Sequence, residues 1–353
     1  MSCYDNLLPF SDEELALINS EDAYALGAHM HFFTDTHFPS LDTVKLAIVG
    51  VSTHPQLFTS VRSALYRLAD IGHHGEIADL GNLNMEDATE EVLRHRLAQT
   101  LGYLREHEIL PILLVADVQL QAEILRICEA WGWNSPAFIH PRADVAVARE
   151  WKNASLIGFQ QCLVPLSHKQ KKIHWVSLGQ LRHDFSQSEL YVRQSDSIFV
   201  DLAVARRADA QGYIGSYPGG FYTEELCKLA QYAGLSEQVK LCALFMQTSE
   251  PNELVAQLIW YFIEGFVRRT PDHPLHTGGR HTYIQYNVPI IQEQQHVSEI
   301  VFFRNMQTQR WWMKLPVSLA QGRVVPCMEK DYEQALNGQM PDHLLYWQHY
   351  LQK

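Results

Sequence analysis

Ile109-Leu110-Pro111-Ile112-Leu113-Leu114-Val115 is an unbroken apolar run set between two segments of helical apolar spacing. A strand with one wet face alternates apolar and polar residues, so a continuous run of this length reads as a strand covered on both faces. Such strands occur where helices pack on both sides of a parallel sheet. The upstream helix reads over Met85–Glu106, with Val92, Leu93, Leu97, Leu101 and Leu104 in phase, Asn84 as its cap and acidic residues in its first turn. The downstream helix reads over Leu120–Trp133.

The alternation continues outward. Val44–Val51 (VKLAIVGV) reads as a strand, Gln56–Ala69 as a helix, and Glu76–Leu80 as a short strand ending at Gly81. Further along, Ala137–His140, Leu156–Phe159, Ile173–Leu178 and Ser197–Ala203 read as strands, followed by a polar loop ending at Pro218-Gly219-Gly220. Thr223–Ala233 reads as a helix capped by Thr223, Val239–Met246 as a strand, and Asn252–Arg269 as a helix apolar on more than one face. Strands alternating with helices over short connections give an α/β fold class, a three-layer αβα with a mostly parallel sheet of about eight strands. After Pro271–Arg280 the pattern changes. His281–Ile290 and Glu299–Phe303 read as an antiparallel hairpin, followed by Arg310-Trp311-Trp312-Met313 and a tail with a short helix. Three parts follow: 1–43, an N-terminal segment packed on the core; 44–270, the α/β domain; and 271–353, a C-terminal hairpin and helical tail packed on the same domain. Trp311 and Trp312, adjacent on a strand, point to opposite faces, so one is expected to meet a terminal element or a partner.

The chain has 353 residues, with 28 Lys and Arg against 40 Asp and Glu, a formal charge of −12. That balance excludes a nucleic acid as the main partner, because phosphate binding needs clustered Lys and Arg. No run of about 18 apolar residues is available to span a membrane. Met1–Phe10 lacks the basic and apolar regions of a signal peptide. Cys3, Cys128, Cys162, Cys227, Cys242 and Cys327 form no CxxC pair and read as free thiols in a reducing cytoplasm. The expected localisation is cytoplasmic.

Eighteen histidines and forty acids suggest a metal enzyme. The local patterns do not build one. His29-Met30-His31, His73-His74 and the pair His276 and His281 lack a third ligand at a fixed spacing. The glycine pairs Gly219-Gly220 and Gly278-Gly279 lack phosphate-loop spacing, and no GxSxG elbow occurs. Lys169, Lys171 and Lys172 read as a solvated loop, and Trp260-Tyr261-Phe262 as core.

The order of several pieces is nevertheless distinctive. Leu46–Val51, then Val61-Arg62-Ser63-Ala64-Leu65-Tyr66-Arg67-Leu68, then Asp79-Leu80-Gly81 resembles the opening of the ureohydrolase superfamily, which includes arginase, agmatinase and formimidoylglutamase. Tyr217-Pro218-Gly219-Gly220-Phe221-Tyr222-Thr223-Glu224-Glu225 resembles that superfamily's glycine-pair loop. The resemblance implies an arginase-like sheet over 44–270, with two Mn²⁺ held at the carboxyl ends of the strands. Two cations bridging one hydroxide supply a nucleophile near neutral pH for attack on a guanidino or formimino carbon. The implied ligands come from GGDH, DAHxD and SxDxD motifs.

The sequence departs from each motif. At Val115-Ala116-Asp117-Val118, Val118 stands where a ligand histidine belongs. At His140-Pro141-Arg142-Ala143-Asp144, His140 replaces an aspartate and Arg142 a histidine. At Ser197-Ile198-Phe199-Val200-Asp201, Phe199 replaces a bridging aspartate, and Gln247 stands near a substrate-binding glutamate. The chain is more similar to a bacterial branch of the superfamily altered in the same places. The similarity includes Gly158-Phe159-Gln160, Ala208-Asp209-Ala210, Ala233-Gly234-Leu235-Ser236, the segment Ala256–Phe266 and Arg310-Trp311-Trp312-Met313.

Two expectations follow. One is a non-catalytic protein that binds an unknown protein partner or small ligand, without cofactor, at a vestigial site of Asp117, His140, Arg142, Asp144, Asp201 and Gln247. There Arg142 pairs with Asp144, Asp201 or Asp117 and replaces the metal charge. The other is a manganese-dependent C–N hydrolase with Asp117, His140, Asp144 and Asp201 as ligands. A third mechanism, without metal, would use His140 with Asp144 or Asp201 as a base pair. Arginases form trimers or hexamers, so the resemblance also implies a homo-oligomer.

Overall fold

The computed structural model describes residues 3–18, 22–72, 76–86, 88–143, 153–164, 173–213, 215–247, 252–275, 283–291, 297–316 and 322–351. His73, His74, Asp144, Lys169, Lys171, Lys172, His276 and His281 lie outside them.

The apolar run at the centre forms β5 (Leu110–Val115), in the middle of a ten-stranded sheet. The other members are β1 (Leu7–Leu8), β2 (His31–Phe32), β3 (Leu46–Val51), β4 (Ile77–Leu83), β6 (Pro136–Ile139), β7 (Ala154–Phe159), β8 (Ile173–Ser177), β9 (Ser197–Asp201) and β10 (Leu241–Phe245). Their order is β1-β4-β3-β5-β10-β9-β6-β7-β8, with β2 also on β4. Every pairing is parallel except β1 with β4. Alternation along each strand sends side chains to two cores. Ile112, Leu114, Ile198, Val200, Cys242 and Leu244 face one, and Leu113, Val115, Phe199, Ala243 and Phe245 face the other. The first core is closed by α2 (Thr59–Tyr66), α7 (Thr223–Leu235) and α8 (Asn252–Val267), and the second by α3 (Glu90–Glu106) and α4 (Gln121–Ala130). This is the mostly parallel three-layer αβα that the sequence pattern predicts. Shorter helices α1 (Asp12–Ile18), α5 (Leu178–His183) and α6 (Ser188–Arg193) complete the domain.

The Arg62 and Asp79 motifs have a common structural role. Arg62, buried on α2, donates from Nε and Nη2 to the two carboxylate oxygens of Asp79 on β4 at 2.9 and 3.1 Å. It also donates to Asn82 Oδ1 at 2.8 Å and to the Gly81 carbonyl at 2.7 Å. Tyr66 donates to the same Asp79. Gly81 has a φ of +73°, and a Cβ there would sit 2.1 Å from the Leu8 carbonyl oxygen, so only glycine lets β1 close on β4.

The ends of two helices differ from the sequence reading. α3 starts at Glu90, capped by Thr89 Oγ1, which accepts from Val92 N at 3.4 Å. Asn84 instead closes a turn by accepting from Glu86 N. The cap position of α7 is Tyr222, and its amide donates to Glu225 at 2.8 Å, while Asp209 takes the amide of Thr223 at 2.9 Å.

The C-terminal segment is more elaborate than a hairpin. β11 (Tyr283–Ile291), β12 (Val297–Asn305), β13 (Trp311–Lys314) and β14 (Val324–Cys327) form an antiparallel sheet in that order, joined by α9 (Glu329–Leu336) and α10 (Asp342–Leu351). β13 and β14 are only four residues each, too short for apolar alternation to mark them as strands. Trp311 stacks on Tyr286 and Tyr332 inside the small domain. Trp312 faces the other way, into the seam with the α/β domain, 4.5 Å from the Arg193 guanidinium and 4.7 Å from the His273 ring. The element met by the second tryptophan is therefore the protein's own large domain. Arg310 closes the same seam, pairing with Glu189 at 2.9 Å and Asp272 at 3.2 Å.

Candidate functional site

Ligands of open α/β sheets bind beyond the carboxyl ends of the strands. Four adjacent strands end there in the residues singled out from sequence. Val115 pairs in register with Phe245, which pairs with Asp201, and Ile139 pairs with Val200. Asp117 follows β5, Gln247 follows β10, Asp201 closes β9 and His140 follows β6.

Neighbouring strands β6 and β9 bring two of these together. His140 Nε2 lies 3.3 Å from Asp201 Oδ2, with both side chains largely buried. The other ring nitrogen, Nδ1, lies 3.0 Å from the amide nitrogen of Arg142 and 2.8 Å from its carbonyl oxygen. Both imidazole nitrogens are thus engaged by the protein. Asp201 Oδ1 accepts from Ala203 N at 2.7 Å, and the Tyr213 hydroxyl lies between it, at 3.4 Å, and the Phe245 carbonyl oxygen, at 3.2 Å. Burial, and next the charge of Asp201, push the Tyr213 phenol well above its ordinary range, so it stays protonated as a donor.

Beneath this pair lies an apolar floor. Phe138 and Phe199 occupy matching positions on β6 and β9, and Phe245 lies two residues further along β10, opposite Asp201; each is nearly inaccessible. Their ring centroids are 5.5 Å apart for Phe138 and Phe199, and 6.2 Å for Phe199 and Phe245. Two residues before Asp201 on the same face of the strand, Phe199 puts a ring where the sequence resemblance implies a carboxylate.

The remaining candidates do not join the pair. β10 lies between β5 and β9, so Asp117 and Asp201 are two strand spacings apart, about 9–10 Å of backbone. Asp117 Oδ2 accepts from Thr53 N at 3.1 Å, on the β3 side. Gln247 is exposed. The Arg142 guanidinium lies over the Tyr217 ring at 5.6 Å, and the basic side chain 3.3 Å from Asp201 is His140. Asp144, the other carboxylate proposed for Arg142, is outside the described residues. His29 is engaged elsewhere, with Nε2 2.8 Å from the Ala23 carbonyl oxygen, and His31 is exposed.

The glycine-pair loop is clamped over this end of the sheet. Gln160 donates to the Gly219 carbonyl at 2.7 Å. Gly158 has φ +81°, and a Cβ there would meet the Phe221 ring at 2.0 Å. The Gly158-Phe159-Gln160 motif thus seats the loop rather than doing chemistry.

Tyr213, Phe138 and Phe245 were not singled out by sequence reasoning. Tyr213 lies in a loop without periodicity. The two phenylalanines become significant only once strand register is known.

Among the described residues no three His, Cys, Asp or Glu side chains are grouped so as to hold a metal ion. Val118 and Phe199 offer no donor atom, and both nitrogens of His140 are engaged. The described donors therefore do not match the ligand set two Mn²⁺ ions would need.

No family model matches the chain, and no curated protein sequence matches it significantly. Solved structures do. The formiminoglutamase of Trypanosoma cruzi with Mn²⁺ aligns with a TM-score of 0.56 at 14% identity, over 73% of this chain and 99% of that one. The formimidoylglutamase of Bacillus subtilis aligns at 0.60 and 14% identity, over 71% and 94%. The agmatine ureohydrolase of Thermoplasma volcanium aligns at 0.50 and 14% identity, over 72% and 97%. The fold is therefore arginase-like, shared with these structures at 14% identity. Almost all of each neighbour is spanned, while more than a quarter of this chain lies beyond the match.

Proposed function

We propose that this chain, a ureohydrolase fold, acts by binding a small ligand or a protein partner at the carboxyl end of its sheet and does not hydrolyse it. The observation that carries the reading is the closed His140–Asp201 pair on its floor of three phenylalanines. Hydrolysis of a guanidino or formimino carbon near neutral pH needs an activated water. A site built to activate one keeps lone pairs free for metal or for a proton. Here His140 Nδ1 faces the backbone of Arg142, its Nε2 faces Asp201, and Asp201 Oδ1 accepts from the Ala203 amide. The same engagement argues against a metal-free base pair, since His140 must break a contact before it can accept a proton.

The carboxyl end keeps features suited to binding. Arg142 and Tyr217 present a cation over an aromatic face, and Gln160 fixes the glycine loop beside them. Guanidinium and ring together suit an anionic or planar group.

The alternative is a manganese-dependent hydrolase of the formimidoylglutamase or arginase type using Asp117, His140, Asp144 and Asp201. What supports it is the likeness of fold to formiminoglutamase. It requires the His140 ring to leave Asp201 and Asp117 to move toward β9. Assays with arginine, agmatine and formimidoylglutamate in the presence of added Mn²⁺ separate the readings. The expected result is no turnover above background, unchanged in Asp201→Ala. Hydrolysis abolished by Asp201→Ala would overturn the proposal.

A further inference from the structure

The opposite end of the sheet carries a second feature. Where the amino ends of β5 and β10 meet the turn after α4 and the end of α8, a groove of about 600 Å³ opens. This is within the size range of small-molecule sites, about 300–1,000 Å³. Trp131, Trp133 and Phe266 supply aromatic walls. The two tryptophans meet edge to face, with centroids 5.0 Å apart. Gly132 between them has φ +80° and open space around its absent side chain.

Each aromatic carries a cation. The Arg105 guanidinium lies 5.0 Å from the Trp131 ring, Lys240 Nζ 5.5 Å from Trp133, and the Arg269 guanidinium 4.7 Å from Phe266. Neither Arg105 nor Lys240 forms an ion pair among the described residues, though the chain as a whole is acidic. Asp196 is the carboxylate whose charge reaches Lys240, and it is occupied by the Ser135 amide and the Ser197 hydroxyl. Arg269 donates to the carbonyls of Gly234 and Val239, and its Nη2 is buried with no hydrogen-bond partner among the described residues. An unsatisfied guanidinium donor in a cavity wall calls for an acceptor. Two carboxylates also line the groove: Glu237, which accepts from the His273 amide, and Glu108.

We infer that this groove binds a small planar aromatic molecule carrying a carboxylate or similar oxyanion. Its ring lies against the tryptophans and its charge is met by Arg105, Lys240 and Arg269. Charged partners and aromatic faces together favour such a ligand over a neutral aromatic or a bare anion. The site lies at the far end of the strands from His140 and Asp201, so it stands or falls independently of the proposed function.

The test is calorimetric titration of the full chain with 2-naphthoate, compared with 2-naphthylmethanol, which has the same ring without charge, and with acetate. One saturable site per chain is expected for 2-naphthoate, with both controls at least about tenfold weaker. Arg105 and Lys240 are exposed, so the double variant Arg105→Ala/Lys240→Ala should keep its circular dichroism spectrum and lose about tenfold or more in affinity. Absence of saturable 2-naphthoate binding overturns the inference. So does equal binding of the neutral alcohol, or undiminished binding by a folded double variant.

Discussion

Phe199 distinguishes most sharply between a lapsed metal site and a hidden one. Its ring is packed between Phe138 and Phe245. Phe199→Asp restores the ureohydrolase motif on paper but places an unpaired carboxylate in an apolar layer. It should destabilise the protein by about 3–5 kcal/mol in urea unfolding and bring no metal binding. A stable variant that takes up Mn²⁺ would refute this account of the floor. Asp79 tests the other buried charge. Asp79→Ala leaves Arg62 with its cation buried and uncompensated, at a cost of about 3–5 kcal/mol by the same measurement. Equal stability would mean that the Arg62 network does not hold α2 to β4. At this scale the departures Val118, Arg142 and Phe199 were legible in the sequence, because each fills a motif position with a side chain of the wrong chemistry. The partner of His140 was narrowed only to Asp144 or Asp201. That pairing depends on the register of β6 against β9, across some 60 intervening residues that pass through two other strands.

Among the elements, α7 and α8 are packed closely enough to dispense with side chains at two points. A Cβ on Gly234 would lie 2.1 Å from the Phe262 carbonyl oxygen, and one on Gly265 would lie 2.3 Å from that of Gln231. Backbone cannot yield as a flexible side chain can, so Gly234→Ala and Gly265→Ala should each push the helices apart. The expected loss is about 1–3 kcal/mol, read from the urea midpoint. Neutral substitution at both positions would show that the contact is not close in solution. Both glycines are visible in the sequence, but helix propensity alone suggests that alanine would stabilise them, and only tertiary packing reverses the sign. Element type was legible wherever apolar periodicity was long, as in β5 and α8. Helix starts were not, because Thr89 and Asn84 are both competent caps and the turn at Glu86 decides between them.

At the scale of the molecule, the C-terminal sheet and helices are joined to the α/β domain through buried histidines. His174 on β8 and His343 on α10 are both buried, with Trp347 packed 5.4 Å from the His174 ring and donating to His343 Nε2 at 3.2 Å. Burial holds both imidazoles below the ordinary histidine value of 6.5, well below it for His174. A histidine depressed in the folded state takes up its proton on unfolding. Its stabilising contribution is therefore complete above pH 6.5 and is lost progressively as pH falls toward the folded value. The melting temperature should fall between pH 7.5 and 5, and His174→Asn should flatten that dependence. An unchanged slope in a folded variant would show that the seam does not titrate. The change of pattern after residue 270 was readable, and the sequence suggested there only a hairpin and helical tail, not a four-stranded antiparallel sheet. The seam was not, because His174 and His343 lie far apart in the chain and nothing local marks either as buried.

The central proposal for the whole molecule is that this arginase-like fold holds no pair of Mn²⁺ ions. Titration of the metal-stripped full chain with Mn²⁺, followed by the electron paramagnetic resonance of the free ion, tests it most directly. The account predicts that the free-ion signal rises from the first addition with no saturable uptake, in wild type and in Asp201→Ala alike. Uptake of two Mn²⁺ per chain, lost in Asp201→Ala, would contradict it.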